Sequence, residues 1–315
     1  MLEMVNKVKD IKDEIKKVIV GKDQVIDKVL MVILAKGHIL LEDIPGVGKT
    51  TLALGFSKSM DMDFNRVQFT PDVVPSDITG FSMFNKGKGE FEYKEGAAMC
   101  NLFLGDEINR TSSKTQSALL EIMEEGRVTV DGITHEIPKP FTVMATQNPL
   151  GTAGTQRLPE AQLDRFMVQL EMGYPSFEAQ VNILKDRQKS NPLELVKPVV
   201  TKDQVVEIQN QVSQVFVDDK IYEYVTRLTE ETRKHQLIKL GVSPRGAIAV
   251  CAMAKAGAYV DERNYVVPND VKDVFVDVCR HRIILNPKSQ LQDMNSRDVL
   301  IEILEKIDTP EIAKI

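Results

Sequence analysis

Pro45-Gly46-Val47-Gly48-Lys49-Thr50 sets two glycines, a lysine and a hydroxyl in the order that a phosphate-binding loop requires. Glycines let successive backbone N–H groups turn into one concavity, and a helix starting there adds the positive end of its dipole. Lys49 then reaches β- and γ-phosphates, and the Thr50 hydroxyl is a ligand for Mg²⁺. Pro45, Gly46, Val47, Gly48, Lys49, Thr50 and Thr51 are therefore the expected nucleotide-binding residues. The strict pattern G-x-x-x-x-G-K-[ST] wants glycine where this chain has Asp43. The competing reading is an ordinary glycine-rich turn with a surface lysine.

Paired acids, Asp106-Glu107, follow the apolar run Leu102-Phe103-Leu104. A carboxylate at a strand's C-terminal edge facing the loop holds the water shell of Mg²⁺, and its neighbour orients a water for attack on the γ-phosphate. The pair is a common pattern alone; its place downstream of a phosphate loop gives it weight. Asn148, in Thr146-Gln147-Asn148-Pro149, either holds that water with Glu107 or is a turn residue ahead of proline. Arg165, unpaired, would reach a neighbouring subunit's nucleotide as a finger worth ~10³–10⁵ in rate. Paired with Asp164 on the surface it would contribute under ~1 kcal/mol. Arg245 follows Ser243-Pro244 at a helix start, where the dipole disfavours its charge and an anion is the better partner.

Strand and helix ends must hold these residues. Residues 39–41 read as a buried strand before the loop and 51–60 as a helix after it. Upstream, Val5, Val8, Ile11, Ile15 and Val18 recur at helical spacing, and a second helix spans 23–35. Gly21, at the break between them, either lets backbone approach a flat base such as adenine or caps a helix. Further strands are expected at 66–70, 101–105, 141–145 and 167–171, with a helix at 113–125. One hairpin pairs 81–84 with 90–94; a second joins 127–130 to 133–137 through Asp131-Gly132, a preferred type I′ turn. His135 is expected on a solvent face of the second. Beyond Gly173-Tyr174-Pro175-Ser176 the pattern is helical, with no further strand run. A nucleotide-binding domain at 1–175 and a helical domain at 176–315 are expected. His281-Arg282 reads as part of a solvated helix face.

The chain of 315 residues is 43% hydrophobic and 27% charged, an ordinary globular composition long enough for two cores. A net charge of −6 without a basic run disfavours nucleic acid as a partner, and the absence of Trp argues against a base-stacking surface. No stretch reaches the ~18 apolar residues of a membrane span, and no signal-peptide core is visible. Cys100, Cys251 and Cys279 lie far apart without C-x-x-C spacing, as small buried hydrophobes in a reducing cytoplasm.

Together these motifs resemble the MoxR family of AAA+ ATPases over roughly residues 5–290. The matching segments are Glu42-Asp43-x-Pro45-Gly46-x-Gly48-Lys49-Thr50, Asp106-Glu107-Ile108-Asn109-Arg110, Gln116-x-Ala118-Leu119-Leu120-Glu121-x-Met123, Ala145-Thr146-Gln147-Asn148-Pro149, 159–166 (Pro-Glu-Ala-Gln-Leu-Asp-Arg-Phe) and Ser243-Pro244-Arg245. The resemblance makes Asp43 an expected residue. It implies that Asp106 and Glu107 are the Walker B pair, Asn148 sensor 1, Arg165 the arginine finger and Arg245 sensor 2. It also makes residues 71–95 the helix-2 insert and 127–137 the pre-sensor-1 hairpin. One departure is Gln156-Arg157 after Gly154-Thr155, where the family usually has Tyr-Pro. The implied fold is an α/β P-loop NTPase (AAA+) domain with a mostly parallel five-stranded sheet, then an all-α lid, with ATP and Mg²⁺ at their junction and Arg245 completing the site within the chain. The implied activity is ATP hydrolysis in a ring, a hexamer, driving remodelling of proteins, with von Willebrand factor A domain proteins as partners. A metal-chelatase motor, a nucleic-acid motor and a nucleotide-gated scaffold are the rival readings.

Overall fold

The computed structural model describes residues 2–148, 158–187 and 191–312. Pro149 and the Gly154-Thr155-Gln156-Arg157 departure lie outside the described residues. Two helices open the chain, α1 (Leu2–Lys16) and α2 (Asp23–Leu34), followed by β1 (Ile39–Glu42), α3 (Lys49–Ser59) and β2 (Phe64–Gln68). An excursion of α4 (Pro75–Thr79), β3 (Gly80–Asn85) and β4 (Glu90–Glu95) leads to β5 (Leu102–Asp106) and α5 (Ser113–Glu125). Then come β6 (Arg127–Val130), β7 (Ile133–Glu136), β8 (Thr142–Gln147), α6 (Glu160–Leu163) and β9 (Val168–Leu170).

The sheet order is β2-β5-β8-β1-β9, and every pairing is parallel. Parallel neighbours put the carboxyl ends of β1, β5 and β8 side by side, with Leu41 opposite Thr146 and Gly105 opposite Ala145. Alternation along the strands divides the core in two. Ile39, Leu41, Leu102 and Leu104 join the apolar cluster formed with α1, α2 and α3, while Leu40, Phe103 and Val143 face the cluster formed with α5. The second strand runs 64–68 rather than 66–70. Its ladder pairs Phe64 with Leu102 through Gln68 with Asp106, and Phe69 has left the sheet to lie where a Cβ on Gly105 would meet its ring at 2.8 Å.

Helices follow: α7 (Phe177–Arg187), α8 (Lys202–Ser213), α9 (Asp219–Lys234), α10 (Pro244–Val260), α11 (Pro268–Cys279), α12 (Pro287–Leu291) and α13 (Ser296–Lys306). The expectation of no strand here needs correction: β10 (Ile238–Leu240) and β11 (Ile284–Leu285) pair antiparallel, too short to show a period in sequence. The lid helices share the first cluster with α1 and α2, from Val5 to Ile303, so the lid packs onto the α/β layer through one continuous apolar core.

Both hairpins form as expected, with Asp131 and Gly132 at φ 51° and 80°. His135 is half-buried rather than on a free face. Its ring stacks on Tyr93 of the other hairpin, centroids 3.8 Å apart, and the Tyr93 hydroxyl donates to the Thr79 carbonyl at 2.6 Å. Cys100 and Cys279 are buried, and burial pushes both thiols up to about 12. Among the described residues no helix is long and apolar enough to cross a membrane.

Candidate functional site

The loop after β1 carries Gly46 and Gly48 at φ 88° and 101°, a backbone region that L side chains rarely adopt. A Cβ at Gly46 would meet nothing within 4 Å, so the concavity is open, and α3 begins directly behind it at Lys49. Backbone N–H groups and the helix N-terminus thus fit a phosphate. Lys49 Nζ donates to the carbonyls of Asp43 (3.0 Å) and Ile44 (3.1 Å), curled over its own loop. Burial lowers its pKa, while Asp43, Asp106 and Glu107 pull it back.

Asp43 explains its own departure from the strict pattern. It is buried at 7% exposure and is not among the positive-φ residues, so its backbone makes no demand for glycine. Oδ2 accepts the backbone N–H groups of Met172 (2.5 Å) and Gly173 (2.8 Å), and Oδ1 accepts that of Ile44 (3.0 Å). One carboxylate ties the phosphate loop to the segment that leads out of β9.

At the end of β5, Asp106 is buried and accepts from Arg66 Nε at 2.7 Å and from the Thr146 hydroxyl at 3.3 Å. The Glu107 N–H donates to the same hydroxyl at 2.9 Å. Glu107 sits in the left-handed region (φ 57°, ψ 48°), a strained backbone of the kind found at functional sites, and its carboxylate accepts from Arg110 at 2.6 Å. Lys49, Thr50, Asp106, Glu107 and Asn148 line one cavity of about 310 Å³. A hydroxyl and a carboxylate are the hard oxygen donors that Mg²⁺ takes when phosphates complete its shell, so Thr50 and Asp106 fit that ion.

A second cavity, about 400 Å³, shares Pro45, Gly46, Gly48 and Thr51 with the first and is walled by Val18, Ile19 and Val20. Val47 lines it too. Gly21 is not among the lining residues. Its φ of 72° makes the turn, and a Cβ there would meet Ala179 at 3.4 Å, so the turn places its neighbours Val20 and Lys22 at the cavity.

The two arginines stand elsewhere. Arg165 is neither unpaired nor bonded to Asp164: its Nη2 meets Glu124 at 3.0 Å and its Nη1 donates to the Leu120 carbonyl at 2.7 Å. Arg245 is absent from the lining of the phosphate cavity and donates to Glu124 at 2.6 Å. Arg245, expected to complete its own chain's site, thus stands outside that cavity, where the lid sets it beside Arg165 at the end of α5. Asp164 instead accepts from Ser243 at 2.9 Å and from Arg282 Nε at 2.8 Å.

His281 and Arg282, read as a solvated face, are 8% and 7% exposed. Arg282 also donates to the carbonyls of Phe166 (2.6 Å) and Met167 (3.0 Å), and His281 to that of Phe166 (2.9 Å). Burial, then the Arg282 charge, hold the imidazole neutral, well below its usual range. Sequence reasoning missed Arg66, Thr146, Glu124 and this junction. The only signal was the adjacency of Asp164 to Arg165 and of Ser243 to Arg245.

Residues 38–168 match the model of the ATPase family associated with various cellular activities (AAA), and residues 230–303 match the AAA lid domain. The chain is 47% identical to the uncharacterised protein YeaC of Bacillus subtilis, over 95% of this chain and 93% of that one. It is 38% identical to Chaperone MoxR1 of Mycobacterium tuberculosis, over 95% and 81%. A crystal structure from Cytophaga hutchinsonii superposes with a TM-score of 0.92 at 39% identity, covering 98% of this chain and 97% of that one. An AAA model that ends where β9 begins, a lid model over the last helices, and near full-length identity to a MoxR protein agree with the loop, acids and arginines just described: the chain belongs to the MoxR family of AAA+ ATPases.

Proposed function

We propose that this ATPase hydrolyses ATP with Mg²⁺ at a site that the next subunit of a ring completes, and that it spends the energy on remodelling client proteins in the cytoplasm. The observation that carries this reading is a division of labour. Lys49, Thr50, Asp106, Glu107 and Asn148 converge on one cavity, whereas Arg165 and Arg245 are gathered on Glu124, away from it.

Residues 1–175 would bind the nucleotide and residues 176–315 would act as the lid. The loop N–H groups and Lys49 hold the phosphates, and the pocket walled by Val18, Ile19 and Val20 takes the base. Bound Mg²⁺, held by Thr50 and through water by Asp106, would offset charge on the phosphate oxygens. Glu107 orients the attacking water and accepts its proton, with Asn148 beside it. Glu107 must leave Arg110 to do so. Arg165 and Arg245 supply positive charge to the phosphate bound by the adjacent subunit. Such an arrangement closes only in a ring, and a hexamer with a von Willebrand factor A domain partner follows from the family.

Kinship to a protein named as a chaperone supports the remodelling role. Glu107→Gln tests both halves. It is expected to bind ATP normally, to turn over at least ~10²-fold more slowly in a phosphate-release assay, and to retain a client identifiable by mass spectrometry. Unimpaired turnover would remove Glu107 from the mechanism.

A further inference from the structure

We propose that Glu124 is a positioning residue for the reaction, holding Arg165 and Arg245 as one two-guanidinium clamp for the terminal phosphate bound by the adjacent subunit. The proposal rests on the trans reading above. One carboxylate is divided between the two cations: Oε1 accepts from Arg245 at 2.6 Å and Oε2 from Arg165 at 3.0 Å. Arg165 comes from the α/β layer and Arg245 from the first turn of α10 in the lid. Their neighbours bring them together, because Asp164 receives Ser243 and Arg282 across the same seam.

Two guanidiniums drawn this close repel, and a shared carboxylate is what lets them stand side by side. A guanidinium has five N–H donors in a fixed fork, so each arginine keeps donors for a phosphoryl group while bonded to Glu124. The place of Glu124 is informative in itself. It lies in the last turn of α5, where the helix dipole disfavours an acid. Arg165, Glu124 and Arg245 are 31%, 39% and 46% exposed, and ion pairs so exposed contribute little to stability. What the bridge fixes is direction. The other end of α5 reaches the chain's own acids: Gln116 donates to the carbonyl of Ile108, next to Glu107, at 3.1 Å. One helix thus joins a subunit's own acids to the clamp it offers the next subunit.

The test is Glu124→Ala in the full-length protein, with Glu124→Gln beside it, assayed at concentrations far above assembly. Expected results are an unchanged thermal midpoint, a KM for ATP within about twofold of wild type, and a kcat lower by roughly 10- to 100-fold. Glu124→Ala combined with Arg165→Ala should be no worse than Arg165→Ala alone, because both remove one clamp. A wild-type kcat, a deficit that vanishes as protein concentration rises, or a penalty that adds fully to that of Arg165→Ala would each overturn the proposal. If Arg165→Ala itself turns over normally, the trans reading fails first. If Arg165→Ala is dead while Glu124→Ala is fully active, only the role of Glu124 fails.

Discussion

Asp43 shows how far one side chain can depart from a motif while serving it. Its carboxylate takes three backbone N–H groups, two of them from Met172 and Gly173. Substitution Asp43→Gly would restore the strict phosphate-loop spelling and yet leave those donors without an acceptor, a loss of about 1–3 kcal/mol. Calorimetric titration with ATP should therefore show weaker binding in the variant with the better motif; equal or tighter binding would refute the tether. Such a role was invisible in the sequence because its donors lie on a segment more than a hundred positions away. Lys49, Thr50 and the Asp106-Glu107 pair were legible, since local spacing alone puts them at a loop and at a strand end. Glu124 was not legible, because an acid ending an amphipathic helix reads as solvated surface until two distant arginines arrive on it.

Among elements, β1 and α5 are locked by a histidine that the motifs never mention. His38 donates through Nε2 to the Met123 carbonyl at 2.9 Å and accepts the Val143 N–H at Nδ1 at 3.0 Å. Burial lowers its pKa to about 4. Neutral in the fold but protonated in the unfolded chain, His38 makes the unfolded state take up the proton as pH falls below ~6.5, so stability is lost from there down to about 4. His281 is lowered in the same direction and adds to the effect. Urea unfolding at pH 5.5 should give a free energy lower by about 1 kcal/mol per histidine than at pH 7. A flat profile over that range would mean that neither imidazole is held neutral. Parallel strands and the Asp-Gly hairpin could be read from their apolar runs and turn residues. The small β10–β11 pair could not, being too short to show a period, nor could the buried His281-Arg282 junction, which is made by contacts with Asp164, Phe166 and Met167 more than a hundred positions away.

At the scale of the molecule, the lid and the α/β layer share one core, and the seam at Asp164, Ser243 and Arg282 fixes where the two arginines stand. The sequence supplied every residue assigned to the chemistry, but only the structure shows Arg245 beside Arg165 and outside its own chain's phosphate cavity. A motif names a residue, and the bond from Arg245 at the start of α10 to Glu124 at the end of α5 shows where it stands. The measurement that bears most directly on this account mixes two inactive variants before assembly: Glu107→Gln, which keeps its arginines, and Arg165→Ala, which keeps its acids. Each alone should be nearly silent. The mixture should recover ATPase activity, because interfaces form in which an intact Glu107 meets the Arg165 of the next subunit. No gain over the sum of the separate variants would contradict a site completed in trans.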